Sequence, residues 1–577
     1  MRLNQSMARG QEKSNIFLLS ASLVFITFLV FLSAINHPFV HDDVVFIVQN
    51  PHIAHLDQWF NIFTHASLAG GGGSNAYYRP VLEIVYRLEY ALFGFHAAGF
   101  HAVNLLIHVI NGLLIFTLLR RFHFAQWTAY AVSLIFLIHP VQTEAVACVA
   151  GISNELCALF IILTLRCYVQ APSIWVIIFF IIAFLTKEQA VVLPLLLILT
   201  DIYLKRIKMY QWWLLFGLMT IALLWLRTHL TGAHIVQDIM QSPGELRLRL
   251  LAIPRTLLMY LRLLVWPTHL HYYRNTDILA SNGLGFALLA GLAAFGGWMV
   301  TQYQINRRVI LFGLAWFLIC LMPVLNIVPL VNEYSYIMSA EHFLYLPMIG
   351  ILIVAAVGVE RFLTKRYQVI ALVVCTLVFG WISVQQNRYW SSEVALFERM
   401  SQYEPNFGRG QLLLARAYDN AGQSILAQKH YQRALDIMKA YRAKSVNANA
   451  TRFYDGFIKD IYFYQAQSFK AQGRFNEAIN AYQASLALDA RSVIALEGLA
   501  LSYLSLQQYE EAITTFNQAL VIDPQNASLL NNLAIVYLKQ GDNNQAEQFF
   551  KMALGVDPVY MPARRSLDEM MKVNNLR

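Results

Sequence analysis

Apolar residues run in long blocks through the first part of the chain and stop near Val384. The first block, Ile16 to Ile35, carries no charge and is long enough to cross a bilayer. Asn36-His37-Pro38 ends it. Further blocks fall near 101–119, 126–138, 155–169, 173–186, 190–204, 211–227, 284–301, 309–325, 343–360 and 367–384. Together they predict a helical bundle of about 11 membrane crossings. One more apolar stretch, 245–266, carries Arg247, Arg249, Arg255 and Arg262. Counting it as a span would put two later basic clusters on the wrong side. It is therefore expected to be re-entrant or interfacial, or paired with a short partner near 267–282.

From about Ser391 the pattern becomes polar, helical and periodic. Ala478, Ala512 and Ala546 recur every 34 residues, as do Asp489, Asp523 and Asp557. The sets Ala415/Tyr418/Ala427/Tyr431, Ala466/Phe469/Ala478/Tyr482, Ala500/Tyr503/Ala512/Phe516 and Ala534/Tyr537/Ala546/Phe550 repeat one arrangement of small and aromatic positions. Small residues let paired helices approach, and aromatics fill the space beside them. The pattern resembles the tetratricopeptide repeat in about four units, with an insertion near 439–455. Stacked helix pairs form a concave superhelix that holds an extended peptide or a partner. The plain alternative is a structural cap on the membrane domain.

Of the 577 residues, 57% are hydrophobic and 13% charged, the composition of a multi-pass membrane protein. The chain thus reads as all-α, with a membrane domain over 1–388 and a repeat domain over 389–577. The net charge of +9 sits in short loops, at Arg2/Arg9/Lys13, Arg120/Arg121, Lys205/Arg206/Lys208, Arg307/Arg308 and Arg361/Lys365/Arg366. The positive-inside rule explains it without nucleic acid. An odd number of crossings puts the repeats on the same side as Asp42/Asp43. That side is the periplasm of a bacterium, which the compact chain favours, or the lumen of the endoplasmic reticulum of a eukaryote. Ile16–Ile35 reads as a retained span, since no small-residue cleavage site follows it. Five cysteines without CxxC spacing imply neither a disulfide framework nor a metal finger.

The non-cytoplasmic loops collect the chemistry. The first, about 36–100, holds Asp42 and Asp43, the glycines Gly70–Gly73, Tyr77-Tyr78-Arg79-Pro80, and Arg87/Glu89. Others hold Glu144, Lys187-Glu188, Asn332-Glu333-Tyr334 and Glu341-His342. Adjacent carboxylates at a membrane surface repel and are desolvated, which raises their pKa. The bland alternative is a solvated turn. Cations and carboxylates on one face could bind an anionic lipid head group and supply a general base. His101, Asn104 and His108 share one helical face and read as packing contacts. His139 with His41 and an acid would make a metal site, but no dedicated spacing supports it, and the divalent-metal question stays open. Gly70–Gly73 lacks the Lys-Ser/Thr of a phosphate loop and reads as a hinge or lid.

With both halves in view, the chain resembles the transmembrane-and-tetratricopeptide-repeat (TMTC) family of O-mannosyltransferases, within the wider GT-C glycosyltransferase class. The resemblance rests on Phe39-Val40-His41-Asp42-Asp43 with Asn50-Pro51, Tyr78-Arg79-Pro80, Gly99-Phe100-His101 with Asn104, His139-Pro140-Val141-Gln142-Thr143-Glu144, Thr186-Lys187-Glu188 and Glu341-His342-Phe343-Leu344-Tyr345-Leu346-Pro347. The chain departs from the family pattern at His41 and at His342, where Arg is expected. The resemblance implies a GT-C-type membrane glycosyltransferase. Its donor would be a polyprenyl-phosphate-linked sugar, such as mannose, and its acceptor a protein or glycan held by the repeats. Asp42 or Asp43 would be the base. Arg79, Lys187 and His342 would meet the lipid phosphate. Glu144, Glu188 and Glu341 would line the substrate site, the first two orienting sugar hydroxyls or balancing cations. The competing reading is a non-catalytic scaffold whose repeats recruit an envelope complex.

Overall fold

The computed structural model describes residues 2–54, 61–64, 67–68, 76–206, 209–231, 243–275, 283–302, 306–325, 338–445 and 448–575. Gly70–Gly73 and Asn332-Glu333-Tyr334 lie outside them. The described chain is all-α apart from two pairs of two-residue strands. It divides into two compact units, Met1–Arg399 and Met400–Arg577.

In the first unit, every apolar block of the sequence is helical. Among the described residues, seven helices are long and apolar enough to cross a membrane, against the eleven expected from sequence. The pair Gln126–Ile138 and Pro140–Ala147, bent by 49°, makes an eighth if counted as one span. The physical reason for the difference is local. Three blocks form helices of only 12 to 15 residues, Ile174–Thr186, Leu193–Leu204 and Met348–Phe362. Such helices reach roughly 18–23 Å, short of a hydrocarbon core of about 30 Å. They stop where the chain turns to extended or 3-10 backbone at Lys187–Val192 and Glu341–Leu344. The bent pair breaks likewise at His139.

All but the last residue of 245–266 lies in one helix, Pro243–Val265, with Pro254 inside it. It is not among the seven. The expected partner near 267–282 is not helical where it is described. Arg274–Asn275 instead pairs antiparallel with Met338–Ser339, which brings Arg274 beside the Glu341 segment.

The first loop is fixed by burial. Ile47, Ile53, Leu82 and Tyr86 pack with Phe100, Ile107, Val149, Ile152 and Leu156 from two spans. Each such side chain contributes about 1.5–3 kcal/mol. Elsewhere two spans meet backbone to backbone. A Cβ on Gly313 would lie 2.5 Å from the Gly350 carbonyl oxygen, the close approach that small residues allow in membrane bundles.

The second unit stacks helix pairs Gly408–Asn420/Ser424–Ala443, Ala448–Ala471/Phe475–Leu486, Val493–Ser505/Tyr509–Ile522 and Ala527–Gln540/Asn543–Val556, followed by Met561–Asn575. The repeat alanines Ala415, Ala427, Ala466, Ala478, Ala500, Ala512, Ala534 and Ala546 are all fully buried. The insertion near 439–455 lengthens the two helices that flank it.

Candidate active site

The two neighbouring aspartates point to different environments. His41 takes a left-handed backbone (φ 48°), which few non-glycine residues adopt. Its amide donates to Glu393 at 3.1 Å. Beyond that bend the Asp43 side chain is fully buried. Its Oδ1 accepts from the Ala150 amide at 2.7 Å and the Cys148 thiol at 3.3 Å, and its Oδ2 accepts from the Val40 amide at 3.1 Å. Burial pushes its pKa up to about 7 against the lowering effect of those donors. Asp42 is one-third exposed. Its Oδ2 accepts from the Tyr272 hydroxyl at 2.9 Å, and its Oδ1 lies 3.4 Å from His41 Nε2.

Tyr272 belongs to a short segment with two further left-handed residues, His269 and Tyr273. It joins Thr143, Glu144, Leu270, His271, Glu341, Gln386, Tyr389, Trp390, Leu396 and Arg399 around a narrow cleft of about 10 Å³, room for roughly one water-sized group. Glu144 and Glu341 both line it. Glu144 Oε2 accepts from the His342 amide at 3.0 Å, and its Oε1 lies 2.7 Å from His342 Nδ1. Glu341 Oε1 accepts from the His271 amide at 2.7 Å and from Arg274 Nη2 at 2.8 Å. Burial pushes Glu341 up to about 7 although Arg274 opposes it. Burial and nearby cations, Arg274 first, hold His271 well down, at about 2.

A second cluster gathers at the end of Ile174–Thr186. Arg79, which caps the helix Pro80–Phe93, grips Glu188 with both arms, Nε to Oε2 at 3.2 Å and Nη2 to Oε1 at 2.7 Å. Arg227 approaches the same carboxylate at 3.8 Å. Burial alone would raise Glu188, but Arg79 and then Arg227 hold it far below the usual carboxylate range. Lys187 turns away from Glu188 and donates to Asn154 at 2.6 Å. Burial, reinforced by Arg79, lowers it to about 8, while Glu188, Cys157 and Glu144 oppose the shift. That last effect links the two clusters through Glu144. It bears on Tyr272 and Glu341 as well.

All eight residues singled out from sequence are thus buried or half-buried at breaks between helices, and Glu144 couples the groups electrostatically. Two of the cations are balanced by carboxylates, as the sequence reading allowed for Glu144 and Glu188. Arg79 is taken by Glu188, and His342 by Glu144. The sequence reading missed Tyr272, His271, Arg274, Arg227 and Arg399. The run His271-Tyr272-Tyr273-Arg274 after an apolar stretch was the available signal. Asn104 donates to the Cys148 and Val149 carbonyls, and His108 meets Tyr345 and the Leu137 carbonyl, as packing contacts do. Arg87 pairs with Glu83 at 2.7 Å, while burial raises Glu89 to about 8. His139 spends Nε2 on the Leu264 carbonyl and Nδ1 on the Val141 amide. The described residues contain no group of three His, Cys, Asp or Glu arranged to hold a metal.

Fold and site together define a multi-pass membrane protein whose helix breaks gather carboxylates and cations, joined to a repeat domain. Family models described as tetratricopeptide repeat match residues 460–489 and 527–560, and one described as TPR repeat matches 501–541. Protein O-mannosyl-transferase TMTC4 of Mus musculus is 25% identical over 496 residues, covering 71% of this chain and 65% of its own length. A protein O-mannosyl-transferase of Caenorhabditis elegans is 24% identical over 444 residues, covering 73% and 62%. The chain thus spans just under two-thirds of these relatives. Among solved structures, MamA is 19% identical over 29% of this chain and 86% of its own, with a TM-score of 0.23. YrrB, titled a TPR protein with an unusual peptide-binding site, is 16% identical over 30% of this chain and 80% of its own, also with a TM-score of 0.23. The chain is a homologue of the TMTC-family protein O-mannosyltransferases and carries tetratricopeptide repeats.

Proposed function

We propose that this protein is a GT-C-type membrane glycosyltransferase that moves a sugar, mannose in the first instance, from a polyprenyl-phosphate carrier to a hydroxyl of a protein acceptor. The site would work on the non-cytoplasmic face, with the repeats presenting the acceptor as tetratricopeptide arrays hold peptides. The observation that carries the reading is the split between the aspartates. Asp42 is accessible and held by Tyr272 beside the cleft, whereas Asp43 has both oxygens engaged.

Asp42 is then the base. The acceptor oxygen attacks the anomeric carbon, its proton passes to Asp42, and the bond from that carbon to the phosphate oxygen breaks with its electrons leaving on the lipid phosphate. The negative charge growing there needs preorganised cations. Arg399 and Lys187 are suited to meet it, the first on the cleft wall and the second from its place beside Asn154. Glu144 and Glu341 orient the sugar hydroxyls, and Arg274 and His342 fix those carboxylates. Asp43 positions Asp42 by anchoring the bend. No step is routed through a metal.

The test is transfer of label from a radiolabelled polyprenyl-phosphate mannose in membranes carrying wild type, Asp42→Asn or Asp43→Asn. Transfer by wild type that Asp42→Asn abolishes without loss of folded protein supports the reading. No transfer from wild type, with the repeats still capturing a partner, gives the scaffold instead.

A further inference from the structure

A second cavity lies away from the candidate active site. It encloses about 770 Å³ and is lined in part by Arg121, Lys205, Arg206 and Arg308. The helix Leu193–Leu204 follows directly from the Glu188 segment and ends at Lys205. The two sites therefore sit at opposite ends of one helix, and this cavity opens at the end that carries the basic loops.

Three separate elements supply the cations. Arg121 ends the span Ala97–Arg121, Lys205 and Arg206 follow Leu204, and Arg308 opens the span Arg307–Val324. The lining includes no aspartate or glutamate. Arg206 spends one arm on the Val169 carbonyl, which fixes its guanidinium at the wall. The nearest carboxylate on these helices, Asp201, is fully buried and is taken by the Tyr168 hydroxyl and the Trp213 indole. None of the described residues gives Arg121, Lys205 or Arg308 a carboxylate partner. The first turn of Arg307–Leu321 adds amide N–H groups and the positive end of a helix dipole.

The rest of the lining is mixed: Phe122, Val169, Tyr203, Leu204 and Val309 are apolar or aromatic, and His123, Gln170 and Asn306 are polar. Tyr203 is wedged between Phe124 and Phe312, with ring centroids at 6.1 and 4.4 Å. The positive-inside rule accounts for basic residues in loops. It does not account for their convergence on one cavity with an apolar floor. A free inorganic anion would find the charges useful and the floor useless. A lipid phosphate uses both.

We propose that Arg121, Lys205, Arg206 and Arg308 form a binding site for the phosphate of an anionic phospholipid, whose glycerol and upper acyl carbons lie against the half-buried Val169, Tyr203 and Leu204. Basic pockets between spans are suited to such headgroups, and the leaflet facing the basic loops is the anionic one.

The test uses the full-length protein in detergent with three probes: short-chain phosphatidic acid, short-chain phosphatidylcholine and inorganic phosphate. Wild type should bind phosphatidic acid saturably and tighter than either other probe. Arg121→Gln and Arg308→Gln should each weaken it about fivefold, since each surface charge contributes about that much. Lys205→Gln, on an exposed side chain, is the variant least able to disturb folding and should act in the same direction. Binding that ignores all three substitutions overturns the proposal. So does inorganic phosphate binding as tightly as phosphatidic acid.

Discussion

The Asp43 carboxylate accepts the Ala150 amide at 2.7 Å across 107 residues of sequence, pinning the first loop to the start of the span Val149–Gln170. Its neighbour Asp42, one residue nearer the bend, meets Tyr272 on the cleft wall instead. Beyond the bend at His41, two adjacent carboxylates thus make different contacts, Asp42 with Tyr272 and Asp43 with Val40, Cys148 and Ala150.

Asp42→Asn should abolish sugar transfer, with a loss of about 10²–10⁴-fold, because general-base contributions fall in that range. Tyr272→Phe should reduce transfer less and leave melting unchanged. Transfer assays in membranes, paired with thermal melts of purified protein, separate the two effects.

Asp43 should make stability pH-dependent. Its pKa is about 7 in the folded protein against 3.8 for the free side chain, so the folded state holds the proton longer. Its contribution is fully present below about pH 4 and is lost as pH rises through about 7. Melting temperature should fall across that window by an amount worth a few kcal/mol, on the order set by the shift. Asp43→Asn should flatten the profile while lowering stability overall, since an amide nitrogen would face the Val40 or Ala150 donor. Melts recorded from pH 4 to pH 8 check this.

Arg79→Ala should destabilise the membrane unit by about 3–5 kcal/mol, because it leaves Glu188 buried without its bidentate partner. The double change Arg79→Met with Glu188→Gln should cost less than Arg79→Ala alone. A double-mutant cycle on unfolding midpoints measures the difference.

Gly350→Val should cost well over 1 kcal/mol, because its Cβ would lie 2.2 Å from the Gly313 carbonyl oxygen and neither backbone can yield. The change should lower the yield of folded protein in membranes. Gly358→Val on the same helix meets open space and should be tolerated.

The helical blocks and the repeats were legible in the sequence because both follow from simple periodicity. Uninterrupted apolar runs mark spans, and the recurring Ala and aromatic positions of the tail are the buried ones. Span number was less legible. Hydropathy does not register that the chain breaks its helix at Lys187 and delays the next one past Glu341–Leu344, since the flanking residues remain apolar. The candidate site was half legible. Asp42, Glu144, Lys187 and Glu341 stand out as charges among apolar neighbours. Their partners do not, because Arg274 reaches Glu341 only through a two-residue strand pairing, and Arg227 reaches Glu188 from within a span. The difference between Asp42 and Asp43 was closed to sequence, as it lies in contacts with Tyr272 and Ala150, far along the chain.

The short helices carry a further consequence for the surrounding lipid. Where Ile174–Thr186, Leu193–Leu204 and Met348–Phe362 stop early, the bilayer must thin or admit water to meet them. A dimple of that kind lowers the headgroup plane toward the clusters at the helix ends, so an amphiphile need not be lifted out of the hydrocarbon to be handled there. Turnover should therefore respond to acyl-chain length, rising in thin bilayers and falling in thick ones, with every protein side chain unchanged.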